Sequence, residues 1–471
     1  MILKALQILH HLKKINMNKI ILKYSMNRIT FLVIIGIISV STLIAQNNTV
    51  NLSLQDAIKM ATERNVNVKS AQIEKDKTQS IIDETYSNLY PSISVGGSFT
   101  DNLKIATMLL PGEIVGAPGT MIPVQMGVQY NMNVAASLNM ILYNQTALTA
   151  LKVSKKALEL NDLVVEKVRE ELAFEVSKLY FSTLTTAQQK SILEDNITKM
   201  EQLSNIVKVS VDNGMALQID FDRVNINIEN LRTQLNNVES GLEQLLNVLK
   251  YILNIPIRNE IILTDKTDMI LLANVPAMKT DFSDHVDIKL LESQRDINVL
   301  TKKITNSGYY PSLYLTGQYL VQGMNNDLSK LFSEKWFNSA NIGLSFSIPI
   351  FDGFEKRSKA NQNELDILKT EIQLLDKKDD FNVNYRVALN NYNNNKNNLE
   401  RQKQNINLAT KVYDETTLKY REGMASMSNL LQDEMSLSAA QSNFLNALYN
   451  FKEAELKIMS LNGNMKKMIG K

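Results

Sequence analysis

The stretch Tyr90-Pro-Ser-Ile-Ser-Val-Gly-Gly97 decides the fold, because a second copy, Tyr310-Pro-Ser-Leu-Tyr-Leu-Thr-Gly317, follows 220 residues later. Apolar and small polar residues alternate in both, as in a β-strand with one apolar and one wet face. The same offset relates Asn65-Val-Asn-Val-Lys-Ser-Ala-Gln72 to His285-Val-Asp-Ile-Lys-Leu-Leu-Glu292, and Gly214-Met-Ala216 recurs as Gly423-Met-Ala425. The pattern predicts an internal duplication.

Each half is predicted to run helix, strand, strand, very long helix, turn, long helix. The strands are expected at about 90–107, 128–143, 309–322 and 339–351. In the second of them, Met132, Val134, Leu138, Met140 and Leu142 share the apolar face. A sheet packed on a soluble core is one interpretation, but the polar faces carry only small uncharged side chains. Together with strands of roughly ten residues, this favours membrane strands around a wet lumen.

Four such strands cannot stand alone in a membrane, because an open sheet edge would leave backbone N–H and C=O groups without partners in lipid. A closed membrane barrel needs about eight strands or more. The barrel is therefore predicted to be oligomeric, with eight strands from a dimer or twelve from a trimer.

The region 145–212 contains no Gly or Pro and keeps apolar residues at helical spacing, so it predicts one helix of ~100 Å. A second helix follows Gly214 and reaches Asn254, and the second half repeats the pattern over 353–422 and 426–461. The last helix has two adjacent apolar stripes, which fits either the wall of a hollow cylinder or an ordinary bundle. The Asn-rich run 390–398 is expected to be a solvated helical face, and a disordered loop is the alternative, because Asn is a poor helix former.

Residues 1–45 hold six Lys and Arg residues and no acid, and they end in an apolar run that precedes Ala45. This is typical of a secretory signal peptide with a possible misassigned extension before Met26; a membrane anchor is the alternative. The remainder has a formal charge of −4, which does not suggest nucleic-acid binding. There is no cysteine, and His285 is the only histidine after the signal. We therefore expect no enzyme, no metal and no cofactor, and we assign His285 no functional role.

Four motifs, in order along the chain, carry a family resemblance. They are Leu52-Ser-Leu-Gln-Asp-Ala-Ile-Lys-Met-Ala61-Thr-Glu-Arg-Asn65, the Tyr-Pro-Ser strand starts at 90–92 and 310–312, Ile348-Pro-Ile-Phe-Asp-Gly353, and Tyr420-Arg-Glu-Gly-Met-Ala-Ser-Met-Ser-Asn-Leu-Leu-Gln432. With them the chain resembles the TolC-like outer-membrane efflux proteins over nearly all of its length after the signal. The resemblance implies an α+β membrane protein, in which a trimeric 12-strand β-barrel with four strands per chain joins a long α-helical coiled-coil barrel.

The resemblance also implies a location, partners and a site. The duct lies in the outer membrane and its helices in the periplasm, where it meets an adaptor (membrane fusion) protein and an inner-membrane pump of the RND, ABC or MFS type. The resemblance implies gate residues at Asp220 and Tyr420, and the predicted gate also includes Arg421, Asn429, Gln432 and Asp433. Arg421 and Asp433 lie close by and either substitute for the missing charges or are plain solvated charges. The adaptor-contacting tips are Gly214, Met215, Ala216, Gly423, Met424 and Ala425. The family's gate arginine falls on Ala425, and its constricting aspartates fall on Asn429 and Gln432.

The predicted organisation is a signal at 1–45, a first repeat at 46–254, a linker at 255–283, a second repeat at 284–462 and a tail at 463–471. The predicted function is the outer-membrane channel of a tripartite efflux or type I secretion system, with the loops 101–130 and 322–340 facing outside. A periplasmic coiled-coil structural protein without a pore is the alternative.

Overall fold

The computed structural model describes residues 49–116, 118–265 and 281–470, so the expected signal peptide lies outside the described residues. The described chain divides into two compact units. The smaller contains residues 49–51 and Pro256–Ile262, and in it the Val50 N–H donates to the Glu260 carbonyl at 2.8 Å. The larger contains the other described residues, among them all the helices of both repeats.

Each half runs helix, strand, strand, very long helix, turn and long helix, as the duplication predicts, and the first half has an additional short hairpin between its two long strands. The first half comprises β1 (Val50–Leu52), α1 (Leu54–Arg64), α2 (Val66–Ser87), β2 (Ser92–Asp101), β3 (Thr107–Pro111), β4 (Met121–Gln125), β5 (Tyr130–Asn144), α3 (Gln145–Asp212), α4 (Gln218–Ile252) and β6 (Ile261–Leu263). The second half comprises α5 (Val286–Ser307), β7 (Ser312–Asn325), β8 (Phe337–Ser347), α6 (Glu355–Arg421), α7 (Met427–Leu461) and the short α8 (Met465–Met468).

The long helices form where the sequence lacks breakers. Helix α3 spans the predicted 145–212, and the Asn144 side chain caps it by accepting the Ala147 N–H. The Asn-rich run continues α6 as a largely exposed helical face, as expected. His285 caps α5, because its Nδ1 accepts the Asp287 N–H at 3.2 Å. No helix in the described part of the chain is both long enough and apolar enough to cross a membrane.

Strands β2, β5, β7 and β8 form one antiparallel sheet in that order. Residues directly opposite one another share a face, so the pairs Ile93–Leu138, Leu138–Gly317 and Gly317–Ile342 show one face running across all four strands. That face is apolar, and the opposite face carries Ser, Asn, Thr and Gln as predicted.

The structure corrects four details of the prediction. A bulge at Leu142 places Tyr143, not Leu142, opposite Leu313, so Leu142 drops out of the alternation. The expected loop 101–130 contains the hairpin β3–β4, and β7 continues to Asn325, into the second expected loop. Strand β8 stops at Ser347, before Pro349, which has no N–H to pair.

The helices pack side by side into one layer. Helix α3 contacts α2 and α5 along its first part and α4 and α7 along its second, while α6 contacts α5 and then α7. The edges of the layer are therefore α2 and α4 on one side and α6 on the other. The expected C-terminal tail is anchored to this layer, because Met465 is buried and Lys466 pairs with Glu166 of α3.

Candidate functional site

The two turns that join the long helices have the same backbone. Gly214 and Gly423 adopt the left-handed conformation, with φ of +72° and +71°. The Met215 N–H reaches back to the Ser210 carbonyl at 2.7 Å, and the Met424 N–H to the Lys419 carbonyl at 2.8 Å. This is a glycine-terminated helix end, and it explains why Gly-Met-Ala recurs in both halves.

The two turns share one cleft. A cleft of about 890 Å³ is lined by residues of both turns and of the helices entering them. Its walls include Met215, Ala216, Asp220, Arg223, Tyr420, Arg421, Gly423, Ala425 and Ser428. Three of the six expected gate residues, Asp220, Tyr420 and Arg421, therefore come together. We call this space the tip cleft.

Arg223 is the polar centre of the tip cleft, and the sequence reasoning missed it. Its Nη1 lies 3.2 Å from Asp220 Oδ1 and donates to Ser428 Oγ at 3.3 Å. It therefore links α4 of the first hairpin to α7 of the second. The signal was available, because a cation three residues after an acid on a helix lies next to it.

Tyr420 lies beside Asp220 in the tip cleft, and burial together with the Asp220 charge raises the pKa of its phenol. Tyr420 is therefore neutral at physiological pH and able to donate a hydrogen bond. The other three expected gate residues line a different surface. Asn429 and Gln432 are exposed on α7, and Asp433 is half-buried. None of the three is in the lining of the tip cleft.

A buried acid, also missed, lies on α7 beyond the tip cleft. Glu434 is 4 % exposed and accepts a hydrogen bond from Asn227 Nδ2 of α4 at 2.8 Å through Oε2. Its Oε1 has no hydrogen-bond partner among the residues that the structure describes. Burial raises the pKa of Glu434, and burial together with the Glu434 charge raises the pKa of Tyr413 on α6. A carboxyl in such surroundings favours its neutral form.

Apolar contacts hold these polar groups in place. Met200 and Val207 of α3, Val224 and Ile228 of α4, and Leu430 of α7 are buried in one cluster that spans both hairpins. Among the described residues, no group of three or more acids or histidines could hold a metal ion. The arrangement offers contacts between helices rather than a set of reacting groups.

In this chain each half supplies two strands of one sheet and one long helical hairpin, and the two hairpins meet at their tips. This architecture is typical of the class of outer-membrane efflux channels. The chain belongs to the outer membrane efflux protein family, whose model matches residues 57–254 and 301–464. It is an outer-membrane protein with a periplasmic helical part, and the family consists of channels rather than enzymes.

The comparisons extend over most of the chain. Outer membrane protein TolC of Escherichia coli (strain K12) is 21 % identical over 442 residues, covering 88 % of this chain and 82 % of that protein. The CusC crystal structure matches with a TM-score of 0.69 and 17 % identity, covering 88 % of this chain and 92 % of that one. The open-state MtrE channel of Neisseria gonorrhoeae matches with a TM-score of 0.69 and 18 % identity, over 87 % and 88 % of the two chains.

Proposed function

We propose that three copies of this chain form a duct whose twelve strands close a barrel in the outer membrane and whose helices form a periplasmic tunnel. The observation that carries this proposal is the pair of sheet edges. Neither β2 nor β8 has a second neighbour in the described chain, and every residue of both strands is exposed. Pairing β8 of one copy with β2 of the next removes both edges, as lipid requires.

The apolar face of the sheet supports a lipid neighbour. Ile93 and Val95 on β2 are 76 % and 73 % exposed, and Ile342 and Phe346 on β8 are 75 % and 74 % exposed. Monomeric soluble proteins rarely expose so continuous an apolar surface. In the proposed barrel this face meets lipid, and the Ser and Asn face lines the lumen.

The helical layer has matching edges. On α6, Leu365, Leu368, Ile372 and Leu375 are exposed at coiled-coil spacing. Opposite them, at the other edge, α2 exposes Val66, Ile73 and Ile81. Counted from the helix end nearest the sheet, the α2 set lies 6–21 residues away and the α6 set lies 10–20 residues away, so both sets end ~30 Å along their helices at 1.5 Å per residue. A neighbouring copy would therefore bring the two stripes to the same height.

In this proposal the duct is passive. Substrate enters from an inner-membrane pump of the RND, ABC or MFS type, and the tips at 214–216 and 423–425 contact the periplasmic adaptor. Met215 and Met424 are 83 % and 67 % exposed at the ends of the turns, as a docking tip requires. The tip cleft, with Arg223 between Asp220 and Ser428, is proposed as the part that closes the tunnel.

Cross-linking tests the assembly directly, because the chain has no native cysteine. We expect the double variant Ile73→Cys with Ile372→Cys, treated with a short bis-maleimide in outer membranes, to give covalent dimers and trimers. Each single variant should remain monomeric on denaturing gels, and so should a control pair with Lys208→Cys replacing Ile372→Cys. A soluble, monomeric protein without cross-links would refute the duct and favour the coiled-coil structural protein.

A further inference from the structure

Helix α7 exposes a single stripe over its first six turns, and the stripe carries no charge. Every exposed residue between Met427 and Asn450 is uncharged. The stripe itself recurs at alternating steps of three and four residues and consists of Asn429, Gln432, Ser436, Ala439, Asn443, Asn446 and Asn450. Ser428 and Met435 beside it are uncharged as well. From Asn429 to Asn450 the stripe extends ~32 Å along the helix.

Helix α4 has two solvent-exposed faces, one with charged residues and one with uncharged residues. On one face Arg232 pairs with Glu201 at 2.8 Å and Glu239 pairs with Lys190 at 2.9 Å, both across to α3. The other face carries the exposed amides Asn230, Gln234 and Asn237. This amide face continues the line of Arg223 and Asn227, the residues that contact α7.

The two uncharged surfaces match in height. The tip glycines lie 209 residues apart, and the same offset relates Gln234 to Asn443 and Asn237 to Asn446. Asn237 and Asn446 are each 23 residues beyond their tip glycine. Both hairpins therefore present amides at the same level. Between Met427 and Asn450, α7 carries only two charged residues, the half-buried Asp433 and the buried Glu434, and the ion pairs that join α4 to α3 lie on the α3 side of α4.

We infer that these amide surfaces line the tunnel and that the duct does not sort its substrates by charge. The inference rests on the proposed function. Charge selectivity in a pore comes from rings of charged side chains facing the lumen. Here the surfaces of α4 and α7 offer mainly amides and hydroxyls, which hydrogen-bond to cations, anions and neutral polar solutes alike. The substrate class is therefore polar compounds of either charge.

The charges nearest to the lining do not overturn this inference. Asp220 and Arg223 pair with each other and leave no net charge. Asp433 lies about 100° round the helix from Gln432, at the edge of the stripe beside Asn429, and it is half-buried. Ions in ~0.15 M salt screen charges beyond ~8 Å, so a neutral section of ~32 Å is not dominated by charges at its ends.

The test is the reversal potential of single channels in planar bilayers under a tenfold KCl gradient. For the native chain we expect a K⁺ to Cl⁻ permeability ratio within about twofold of one. Asn237→Asp with Asn446→Asp places six carboxylates at one level of the trimer and should raise the ratio at least several-fold. The matched control is Asn236→Asp, the neighbouring residue on the charged face of α4, which should leave the ratio unchanged.

The outcomes separate this inference from the proposed function. A conducting native channel with strong selectivity for one ion refutes the neutral lining and leaves the duct intact. The single change Asn237→Asp is the direct partner of the control, and an equal effect of Asn236→Asp and Asn237→Asp also refutes the inference, because the amide face would then not be the pore side. A chain that forms no channel at all refutes the proposed function and this inference with it.

Discussion

The two hairpin tips have the same backbone but different side chains. Gly214 and Gly423 have φ values within a degree of each other, and the same hydrogen bond closes each helix. At the offset of 209 residues, however, Asp220 and Arg223 in the first hairpin correspond to Asn429 and Gln432 in the second. The charges at the tips were therefore not duplicated symmetrically.

The starts of the return helices differ as well. Ser426 caps α7 by accepting the Asn429 N–H, whereas the corresponding Leu217 offers α4 no side-chain cap. Because only one of the two helices has a side-chain cap, a glycine and an apolar stripe are sufficient to form the turn. The polar side chains are then free to diverge, and here the first hairpin supplies the cation that contacts the second. The following experiments test whether the two hairpins share one apolar core and one type of turn but differ in the role of their polar side chains.

The largest effect is expected from a change in the apolar core that the two hairpins share. Leu430 is fully buried on α7, while Phe221, its counterpart on α4, is only partly buried. Leu430→Ala should lower the free energy of unfolding by about 2–5 kcal/mol, as for other buried Leu→Ala changes. Phe221→Ala should cost about half as much or less. Urea unfolding and limited proteolysis at the tips measure both, and an equal cost would mean that the two hairpins share the core equally.

The long helices and the strands were largely predictable from the sequence. Residues 145–212 contain no Gly or Pro, so the bounds of α3 followed directly, and the alternation of Ile342, Leu344 and Phe346 identified β8. The hairpin β3–β4 was missed because Pro111 and Pro123 argue against strands, although a two-stranded ribbon tolerates them. The Leu142 bulge was missed because it shifts the alternation by one residue without a Gly or Pro to signal it.

The site was less predictable, because its contacts join residues far apart in sequence. Arg223 reaches Ser428 across 205 residues, and Asn227 reaches Glu434 across 207. Transfer by motif position found Asp220 and Tyr420 but could not find an arginine that lies on the other hairpin. Nor could composition show that Glu434 is buried, since Glu is usually a surface residue.

The second largest effect is expected from a buried acid in the first half. Burial raises the pKa of Glu170 to about 7, against the opposing charge of Lys466. In the second half, Asp380 on α6 is at the surface, and a hydrogen bond from Lys377 lowers its pKa. Acids on the long helices of the two halves thus have pKa shifts of opposite sign.

The sign of the pH dependence follows from linkage. The folded state holds a proton on Glu170 that the unfolded chain loses near pH 4.5, so this group reduces stability as the pH rises from 4.5 to 7. Glu170→Gln should therefore stabilise the protein above pH 7, by about 3 kcal/mol at most, and should have little effect below pH 4.5. Thermal unfolding at several pH values measures the difference. Asp380→Asn should show a small effect of the opposite sign, and a stabilisation by both changes would contradict this assignment.

A smaller effect is expected at the link between the tips. Removing Arg223 breaks its exposed contacts with Asp220 and Ser428, which together contribute about 1 kcal/mol. Arg223→Ala should therefore raise the open population about fivefold, seen as higher conductance and greater uptake of large antibiotics. Asp220→Ala with Tyr420→Phe should act in the same direction. The control is Arg232→Ala, whose pairs with Glu201 and Glu229 stay within the first hairpin. Equal leak through both arginine variants would remove Arg223 from the closing contact.

The smallest effect should come from Ser428, the part of the link that the second hairpin contributes. Its hydroxyl is exposed and accepts only one long contact from Arg223, at 3.3 Å, so Ser428→Ala should raise conductance about twofold and leave stability unchanged. Ser426→Ala, two residues earlier, removes the cap of α7 and should cost about 1 kcal/mol of local helix stability. Hydrogen exchange at the start of α7 should therefore increase for Ser426→Ala alone. If Ser428→Ala also speeds exchange there, its effect on opening acts through the helix and not through Arg223. If Ser428→Ala changes opening without changing hydrogen exchange, the contact between Arg223 and Ser428 itself holds the duct closed. In that contact the first hairpin supplies the donor and the second hairpin supplies the acceptor.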